Sequence, residues 1–573
     1  METPLNRTES DSGRSDLTVI LSSYGACPRQ QQVHGKDSAI PGLQEFRGIP
    51  YGIVSSRWKA SSLRTELPSD SFYATKNGPK CPQPSGPNKT LTYQSHLDFP
   101  LDVAESEFEC LNLFIIRPAI SLQASPKCTK LPVYVYIHGG AYAFGSATDP
   151  MWGKYTIPHT NANTDETKDP SRLVAKSVAM SSPIIAVGIN YRLNLFGFAA
   201  SRDLLSQSPS GCNYGLADQR VALEWVYQNI AAFGGDPDKV IVGGQSAGAS
   251  SSHAQFLNET RLPSPRLRGA ILQSAAMGTL GPLSIEEADD RWHGLCRQLD
   301  VPTSLPAADK IRLVSQCSAS QLLDAAQALN WHVCPLVADG RTIRETDDHS
   351  WEVILGPPAE RLSSTRTLRV MIGDTDLEGS IWHDQASKLT SSEAVQDIFD
   401  EHTDPEVSRM LRSLYNLGDG ATPAEIQQEV MKFIGDVEFG VPVQKAKEAL
   451  SRIATVCSYR VSFGNPWSGP FSGMAQHCVE LLYLFDCFHD DLRRVDEDSS
   501  HAALVDRLQS DWIDFISSND ELDRSEVVYG KDRVKRRVQP QDDVACTERL
   551  LRLNAVKAHW QEARNVVNAI SSI

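Results

Sequence analysis

The sequence has no run of about 20 apolar residues that would span a bilayer, and its N-terminus lacks the apolar segment of a secretory leader. It also has no excess of positive charge: 55 Lys and Arg stand against 71 Asp and Glu, a formal net charge of -16. Such a chain repels phosphate backbones and anionic lipid surfaces. We therefore expect a cytoplasmic protein with no membrane span and no nucleic-acid partner.

Motifs for metals and nucleotides are missing as well. No HExxH or paired CxxC spacing suggests a metal site, and no GxGxxG or P-loop motif opens a helix. We therefore expect neither a metal nor a cofactor. What is present is apolar material for a large globular core, because 41 % of the 573 residues are hydrophobic and 22 % are charged.

Strand-like apolar runs alternate with helical stretches in the first half of the chain. Residues 131–138 and 184–191 have the pattern of buried strands, and residues 239–243 form a short third one. Between the last two, apolar residues recur at helical spacing over residues 218–233. The order strand, helix, strand predicts a parallel sheet with right-handed crossovers, which is the α/β class. After about residue 280 the pattern becomes mainly helical.

A candidate nucleophile follows the third strand. Residues 244–248 read GQSAG, a GxSxG pattern between that strand and a stretch of small residues that can open a helix. A sharp strand-to-helix turn strains the serine backbone and needs small neighbours to expose the hydroxyl. The pattern is short enough to arise by chance, so its position after a strand is what favours Ser246 as a nucleophile.

A candidate oxyanion hole lies at the end of the strand over residues 131–138. Residues 138–141 read HGGA, where hydrolases with a GxSxG turn carry an HGGG-type loop. The backbone N–H groups of Gly140 and Ala141, with that of Ala247, can point at one developing negative charge. A plain glycine turn after a strand is the alternative, and this motif alone does not separate the two.

From about Phe46 to the C-terminal helix, the sequence resembles the type-B carboxylesterases, a cholinesterase-like family that includes fungal carboxylesterases and lipases. The matching stretches occur in one order: FRGIPY at 46–51, CPQ at 81–83, CLNL at 110–113, NYR at 190–192, NYGL at 213–216 and FGGDP at 233–237. The resemblance implies an α/β-hydrolase fold, with a mostly parallel central sheet flanked by helices and large, mainly helical insertions after the nucleophile. It also implies one domain over residues 46–573, preceded by a partly irregular extension over residues 1–45.

The resemblance extends to a catalytic triad. The family carries its acid, usually Glu, after a strand, and residues 370–379, VMIGDTDLEG, put Glu378 there, with Asp374 and Asp376 as alternatives. Its histidine lies in an H-G-x-E pattern, which His477 fits in HCVE. The chain order Ser246, Glu378, His477 is the one this fold uses. Five other histidines follow the acid: His383, His402, His489, His501 and His559.

Further roles are implied by the same resemblance. Ser274 matches a serine that packs behind the catalytic acid and supports it. Gln245, beside the nucleophile, is also expected to support the catalytic residues from behind. Cys81 and Cys110 match two cysteines that family members join in a disulfide, so we expect their sulfurs within bonding distance.

Three residues depart from the family pattern. Ala141 stands where many relatives have a third glycine, which is tolerable if its φ is negative, and its methyl narrows the acyl pocket. Gln245 replaces a common Glu, which removes an anion from the site, and Cys478 replaces the Gly after the histidine. None of these changes deletes a catalytic group.

The expected function is hydrolysis of a small-molecule carboxylic ester through an acyl-enzyme. Choline esterases of the family hold a quaternary ammonium on a Trp before the second cysteine, and residues 82–109 contain none. We therefore expect a neutral, fairly apolar ester. Two alternatives remain. One is an acyltransferase or lactone-forming tailoring enzyme of secondary metabolism with the same triad. The other is an inactive adhesion protein, which typically lacks the serine or the histidine.

Overall fold

A computed structural model describes residues 17–22, 30–84, 104–119, 130–149, 170–262, 264–345, 351–353, 368–518, 525–539 and 543–573. The strands of these residues are, in chain order, β1 (Thr18–Ser22), β2 (Gln30–His34), β3 (Lys36–Asp37), β4 (Leu43–Pro50), β5 (Gly52–Ile53), β6 (Ser62–Leu63), β7 (Ser71–Tyr73), β8 (Asn112–Pro118), β9 (Leu131–Ile137), β10 (Ile185–Ile189), β11 (Gly235–Gln245), β12 (Leu267–Gln273), β13 (Ile343–Glu345), β14 (Trp351–Val353), β15 (Arg369–Thr375), β16 (Thr455–Val461), β17 (Glu526–Tyr529) and β18 (Lys535–Val538).

Eleven of these strands form one central sheet, in the order β18-β17-β16-β15-β12-β11-β9-β10-β8-β4-β3. Neighbouring strands are parallel from β17 to β10. Antiparallel strands extend the sheet at both edges, β18 at one and β8, β4 and β3 at the other. The predicted fold class, an α/β-hydrolase fold with a mostly parallel sheet, is confirmed.

Helices cover the sheet and form most of the chain after β12. The α-helices of the described residues are α1 (Ser171–Ala179), α2 (Asn194–Phe198), α3 (Arg202–Gln207), α4 (Tyr214–Asn229), α5 (Ala247–Glu259), α6 (Ile285–Gln298), α7 (Ala307–Ser315), α8 (Ala319–Ala328), α9 (His383–Ala386), α10 (Ser392–His402), α11 (Pro405–Leu414), α12 (Pro423–Gly435), α13 (Val441–Leu450), α14 (Val479–Leu484), α15 (His489–Arg494), α16 (Ser500–Ser517), α17 (Val544–Ala558) and α18 (Trp560–Ser571). Short 3₁₀ turns occupy Ile230–Phe233 and Glu378–Trp382, and a π-helical turn occupies Asp436–Gly440. Within the described ranges, none of these helices has the length and apolar character needed to cross a membrane.

The predicted elements of the first half are found with shifted ends. The expected strands over 131–138 and 184–191 are β9 and β10, and the short run over 239–243 is the interior of the longer β11. The helix expected over 218–233 begins earlier, at Tyr214, because residues 214–217 are buried and continue the helix. Its last turn tightens into the 3₁₀ turn Ile230–Phe233.

The sheet separates two hydrophobic clusters. Val133, Val135 and Ile137 of β9 face the larger cluster, which also takes in α4 and α5. The intervening Tyr134 and Tyr136 face the cluster built with α14 and α16. Successive side chains of a strand point to opposite faces, so a central parallel strand must be apolar throughout. This burial on both faces holds the carboxyl ends of the central strands in place, where the candidate residues lie.

Part of the predicted N-terminal extension also has regular structure. Strand β2 pairs with both β1 and β7 in a separate three-stranded sheet. Val19, Leu21 and Val33 from this sheet pack into the same hydrophobic cluster as the central strands. The boundary between extension and domain at residue 45 stays a prediction.

A buried ion pair ties α4 to the loop that follows β10. Arg192 and Asp218 have side chains that are 1 % and 0 % exposed. The guanidinium donates to both carboxylate oxygens, at 2.8 and 2.7 Å, and the backbone N–H of Arg192 donates to one of them at 3.1 Å. A charge so buried depends on its partner, because water cannot replace the lost contact.

Candidate active site

Ser246 lies at the tip of a sharp turn between β11 and α5. Its backbone has φ 58° and ψ -128°, a strained conformation for a residue with a side chain. A Cβ on Gly244 or Gly248 would lie closer than van der Waals contact to the carbonyl oxygen of Ile137. Only glycine fits at these two positions, which explains the spacing of the GxSxG pattern. Ser246 itself is 5 % exposed.

Glu378 and His477 contact each other directly. The carboxylate oxygen Oε2 of Glu378 is hydrogen-bonded to Nδ1 of His477. The other oxygen, Oε1, accepts from the backbone N–H of Thr375 at 2.6 Å. The side chains of Glu378 and His477 are 2 % and 5 % exposed, so their contact is shielded from water.

Two neighbouring strand ends bring these residues together. Glu378 follows β15 and His477 follows the parallel strand β16, so both chains leave the sheet at the same edge. The two loops are joined because Leu377 N donates to Ala475 O at 3.0 Å and His477 N donates to the Ser380 hydroxyl at 3.0 Å. The ring of Phe439, from the π-helical turn, packs 4.8 Å from the His477 ring. The sequence analysis did not identify Thr375, Ser380 or Phe439.

The alternative acids lie in other contacts. Asp374 forms an ion pair with Arg549 of α17 through both carboxylate oxygens. Asp376 lies 3.6 Å from the guanidinium of Arg460. Two of the other histidines have carboxylate partners three residues away in the chain, His489 with Asp486 and His559 with Glu562.

The loop after β9 presents the predicted oxyanion donors. Ala143 N and Phe144 N donate to Gly140 O at 2.9 and 3.1 Å, which closes a tight turn beside the start of α5. In the described part of the chain, the backbone N–H groups of Gly140, Ala141 and Ala247 donate to no protein acceptor. Free donors are what an oxyanion hole requires.

Ala141 has a positive φ, whereas an alanine is expected to be tolerated at this position only with a negative φ. Its φ is +52°, in the left-handed region, and Tyr142 follows with φ +59°. The turn closed on Gly140 O needs left-handed residues here, and the N–H of Cys334 donates to Ala141 O at 3.0 Å, which holds this peptide. The condition of a negative φ is therefore not met, and the alanine methyl is kept at a cost in backbone strain.

Gln245 lies between the nucleophile turn and His477. Its side-chain Nε2 is 3.0 Å from Nε2 of His477. The Ser246 hydroxyl forms no hydrogen bond with the residues that the structure describes. Catalytic hydrogen bonds often tighten only in the substrate complex, so this geometry is compatible with Ser246 as nucleophile.

The predicted support of Glu378 by Ser274 is absent. Ser274 is fully buried, and its hydroxyl has no hydrogen-bond partner among the described residues. The backbone N–H of Thr375 contacts the acid instead. Ser274 follows β12 with φ +60°, and its own N–H donates to Gly373 O, which fixes the backbone at this point.

Cys81 and Cys110 are buried free thiols in this structure. Their side chains are hydrogen-bonded to each other, and this contact, followed by burial, raises the pKa of Cys110. Leu193 N also donates to the Cys81 sulfur at 3.3 Å. The disulfide between them stays a prediction.

A second buried glutamate lies beside the triad. Glu480, in α14, is 1 % exposed, and its Oε1 accepts from Gln273 Nε2 at 3.1 Å. Burial, and then the charge of Glu378, raises its pKa to about 8. It is therefore protonated and neutral at pH 7. The HCVE motif contains this residue, but the sequence does not reveal its burial.

No group of His, Cys, Asp and Glu side chains within the described ranges has the arrangement of a metal site. The polar groups that do converge are one hydroxyl on a strained turn, one imidazole with a carboxylate on its far nitrogen, and three free backbone donors. These are the parts that acyl transfer by a serine nucleophile requires.

Comparison with known proteins agrees with this geometry. The model of the carboxylesterase family matches residues 29–531. Para-nitrobenzyl esterase of Bacillus subtilis is 28 % identical over 525 residues, 87 % of this chain and 89 % of the relative. Lipase 1 of Yarrowia lipolytica is 26 % identical over 452 residues, 78 % and 79 % of the two chains. A solved structure of a PNB esterase superposes with a TM-score of 0.67 at 25 % identity, covering 94 % of this chain and 99 % of that one. The chain is therefore a member of the carboxylesterase family and a carboxylic ester hydrolase.

Proposed function

We propose that the chain hydrolyses a neutral, fairly apolar carboxylic ester with Ser246, His477 and Glu378 as its catalytic triad. The observation that carries the proposal is the hydrogen bond between Glu378 and Nδ1 of His477, with Ser246 on the strained turn beside them. A carboxylate on Nδ1 orients the imidazole and leaves Nε2 as the base.

The reaction follows from these roles. His477 takes the hydroxyl proton as Ser246 attacks the ester carbonyl, and Glu378 stabilises the imidazolium that forms. The N–H groups of Gly140, Ala141 and Ala247 hold the negative oxygen of the tetrahedral intermediate. The protonated histidine then gives its proton to the leaving alcohol. Water, activated in the same way, releases the acid from the acyl-enzyme.

Single replacements test the triad. We expect Ser246→Ala, His477→Ala and Glu378→Gln each to lose most of kcat, and the double variant of Ser246 and His477 to lose hardly more than either single one, because the triad acts as a unit. An organophosphonate should label Ser246 alone, as read by peptide mass spectrometry. Activity retained in Ser246→Ala, or label on Ser250 or Ser274, would contradict the assignment.

A small apolar hollow lies next to the oxyanion loop, although neither the triad nor the oxyanion donors line it. Its walls include Leu195, Phe198, Trp292 and Trp331, and it reaches Cys334, whose N–H contacts Ala141. Among the described residues that line it, the one charged group is Arg291, whose guanidinium lies 4.5 Å from the Trp331 ring. A fixed cation here opposes a quaternary ammonium and leaves shape and apolar burial to select the ester.

The substrate proposal is tested by comparing butyrylcholine with its uncharged dimethylbutyl analogue at low salt. We expect kcat/KM for the two esters to differ by less than about tenfold, or roughly 1.4 kcal/mol, because residues 82–109 contain no Trp to hold a quaternary ammonium. A larger preference for the choline ester would mean that a cationic subsite exists elsewhere. Butyrylcholine and its analogue share one acyl group, so the acylation chemistry is matched.

Transfer to an alcohol or closure of a lactone would use the same acyl-enzyme. The relatives reported above are named esterases and lipases, which favours water as the acceptor. Product partition between acid and new ester, with and without added alcohol, separates the two. We keep a cytoplasmic location within this proposal.

A further inference from the structure

Gln245 and Cys478, two of the residues that depart from the family pattern, both lie next to His477. Gln245 Nε2 is 3.0 Å from His477 Nε2. Burial, with the charges of Glu480 and Glu378, raises the pKa of the Cys478 thiol, and a side-chain hydrogen bond with Gln245 acts in the opposite direction. Gln245 is 2 % exposed and Cys478 is 5 % exposed, so water hardly competes for these contacts.

The protonation of His477 decides how the Gln245 amide is oriented. Nδ1 faces the Glu378 carboxylate and therefore carries the ring proton, which leaves a lone pair on Nε2. Only the N–H of a carboxamide complements a lone pair, so Gln245 is the donor. The same lone pair must receive the Ser246 proton, and a ring nitrogen accepts one strong hydrogen bond at a time.

We propose that Gln245 is a positioning residue that holds His477 in a resting state, in which its amide occupies the lone pair that Ser246 needs. This inference rests on the proposed function. When an ester binds, the Ser246 hydroxyl replaces the amide at Nε2 and transfers its proton to it. Gln245 keeps both amide protons and changes only its acceptor.

The surroundings of the amide support this role. Its oxygen lies 3.2 Å from the point that a Cβ on Gly139 would occupy, so the amide is packed against the oxyanion loop.

Charged groups near Gln245 and Cys478 also influence a pH measurement. The carboxyl groups whose charges act on Cys478 are Glu480, Glu378 and Asp149, and those that act on Glu480 are Glu378 and Asp374. The charge of Glu480 also acts on two buried tyrosines, Tyr136 and Tyr459. Replacing Gln245 by Met removes the N–H donor and keeps the length of the side chain and all of these charges. A change in the pH profile then reports the lost hydrogen bond.

The experiment is the pH dependence of kcat/KM and of inactivation by an organophosphonate. In Gln245→Met, the neutral imidazole loses a stabilising hydrogen bond, so the apparent pKa of the rising limb should increase by about 0.5 to 1 unit. Above that pKa, Ser246 no longer competes for Nε2, so inactivation should be about fivefold faster. A structural role alone would slow both reactions and leave the pKa in place.

Further variants keep the test decisive. In Gln245→Glu the carboxylate favours the imidazolium, so the apparent pKa should rise above that of Gln245→Met. Cys487→Ala, at a buried cysteine outside the triad, should leave it unchanged. An unchanged pKa in Gln245→Met and Gln245→Glu, with Ser246 still labelled, overturns this inference alone. Loss of labelling at Ser246 in the parent enzyme overturns the proposed function and the inference together.

Discussion

Replacing Glu480 by Gln should change how the stability of the protein depends on pH. The folded protein holds this carboxyl group neutral up to about pH 8, whereas its ordinary pKa is near 4.5. Burial is the main cause and the neighbouring charge of Glu378 the second. Glutamine has the same shape, stays neutral at every pH, and can still accept the hydrogen bond from Gln273.

The direction in which stability changes with pH follows from the number of protons that the folded and unfolded states bind. Between pH 4.5 and about 8 the folded state keeps a proton that the unfolded state has lost, so raising the pH favours unfolding in this window. The stabilisation is fully present below pH 4.5 and is lost as the pH rises through the folded-state pKa. The slope is about 1.4 kcal/mol per pH unit, which amounts to about 4 kcal/mol between pH 5 and pH 8.

The assay is urea unfolding of the parent and of Glu480→Gln at pH 5, 6, 7 and 8. The stability of the parent relative to the variant should fall steadily across this range, since all other titrating groups are common to both and cancel. Glu401→Gln, at an exposed position, is the control and should run parallel to the parent. A constant difference between the parent and Glu480→Gln would refute the assignment of a neutral, buried Glu480.

Two further substitutions test the backbone and the core. Ala141→Gly should stabilise the protein by about 1 kcal/mol in urea unfolding, because the left-handed φ of +52° costs alanine more than the extra chain entropy that glycine loses; a loss of stability would contradict the strained geometry of the loop. Asp218→Asn should destabilise the fold by about 3 to 5 kcal/mol, because Arg192 would stay buried without its counter-charge. Asp309→Asn, at a half-exposed surface pair, should cost less than about 1 kcal/mol and serves as the control.

Much of the fold could be predicted because its determinants are local. The apolar runs of β9, β10 and β11 can be recognised in the sequence because central parallel strands are buried on both faces. In the helix between β10 and β11, apolar residues recur at helical spacing. The glycines around Ser246 form a recognisable sequence pattern because the strained turn excludes any Cβ at Gly244 and Gly248. The ends of these elements were less accurate, as at Tyr214, because burial of residues 214–217 extended the helix.

What the sequence by itself determined was the kind of parts present: a strained serine turn, a glycine loop after a strand, and an acid and a histidine after later strands. Only the tertiary structure decided which atoms meet. It brought Glu378 against His477 because β15 and β16 are parallel neighbours, left the Ser274 hydroxyl without a partner, and gave Ala141 a positive φ. It also joined Gln245 to His477. These contacts depend on strand order and on the packing of residues far apart in the chain, and no local pattern in the sequence encodes that packing.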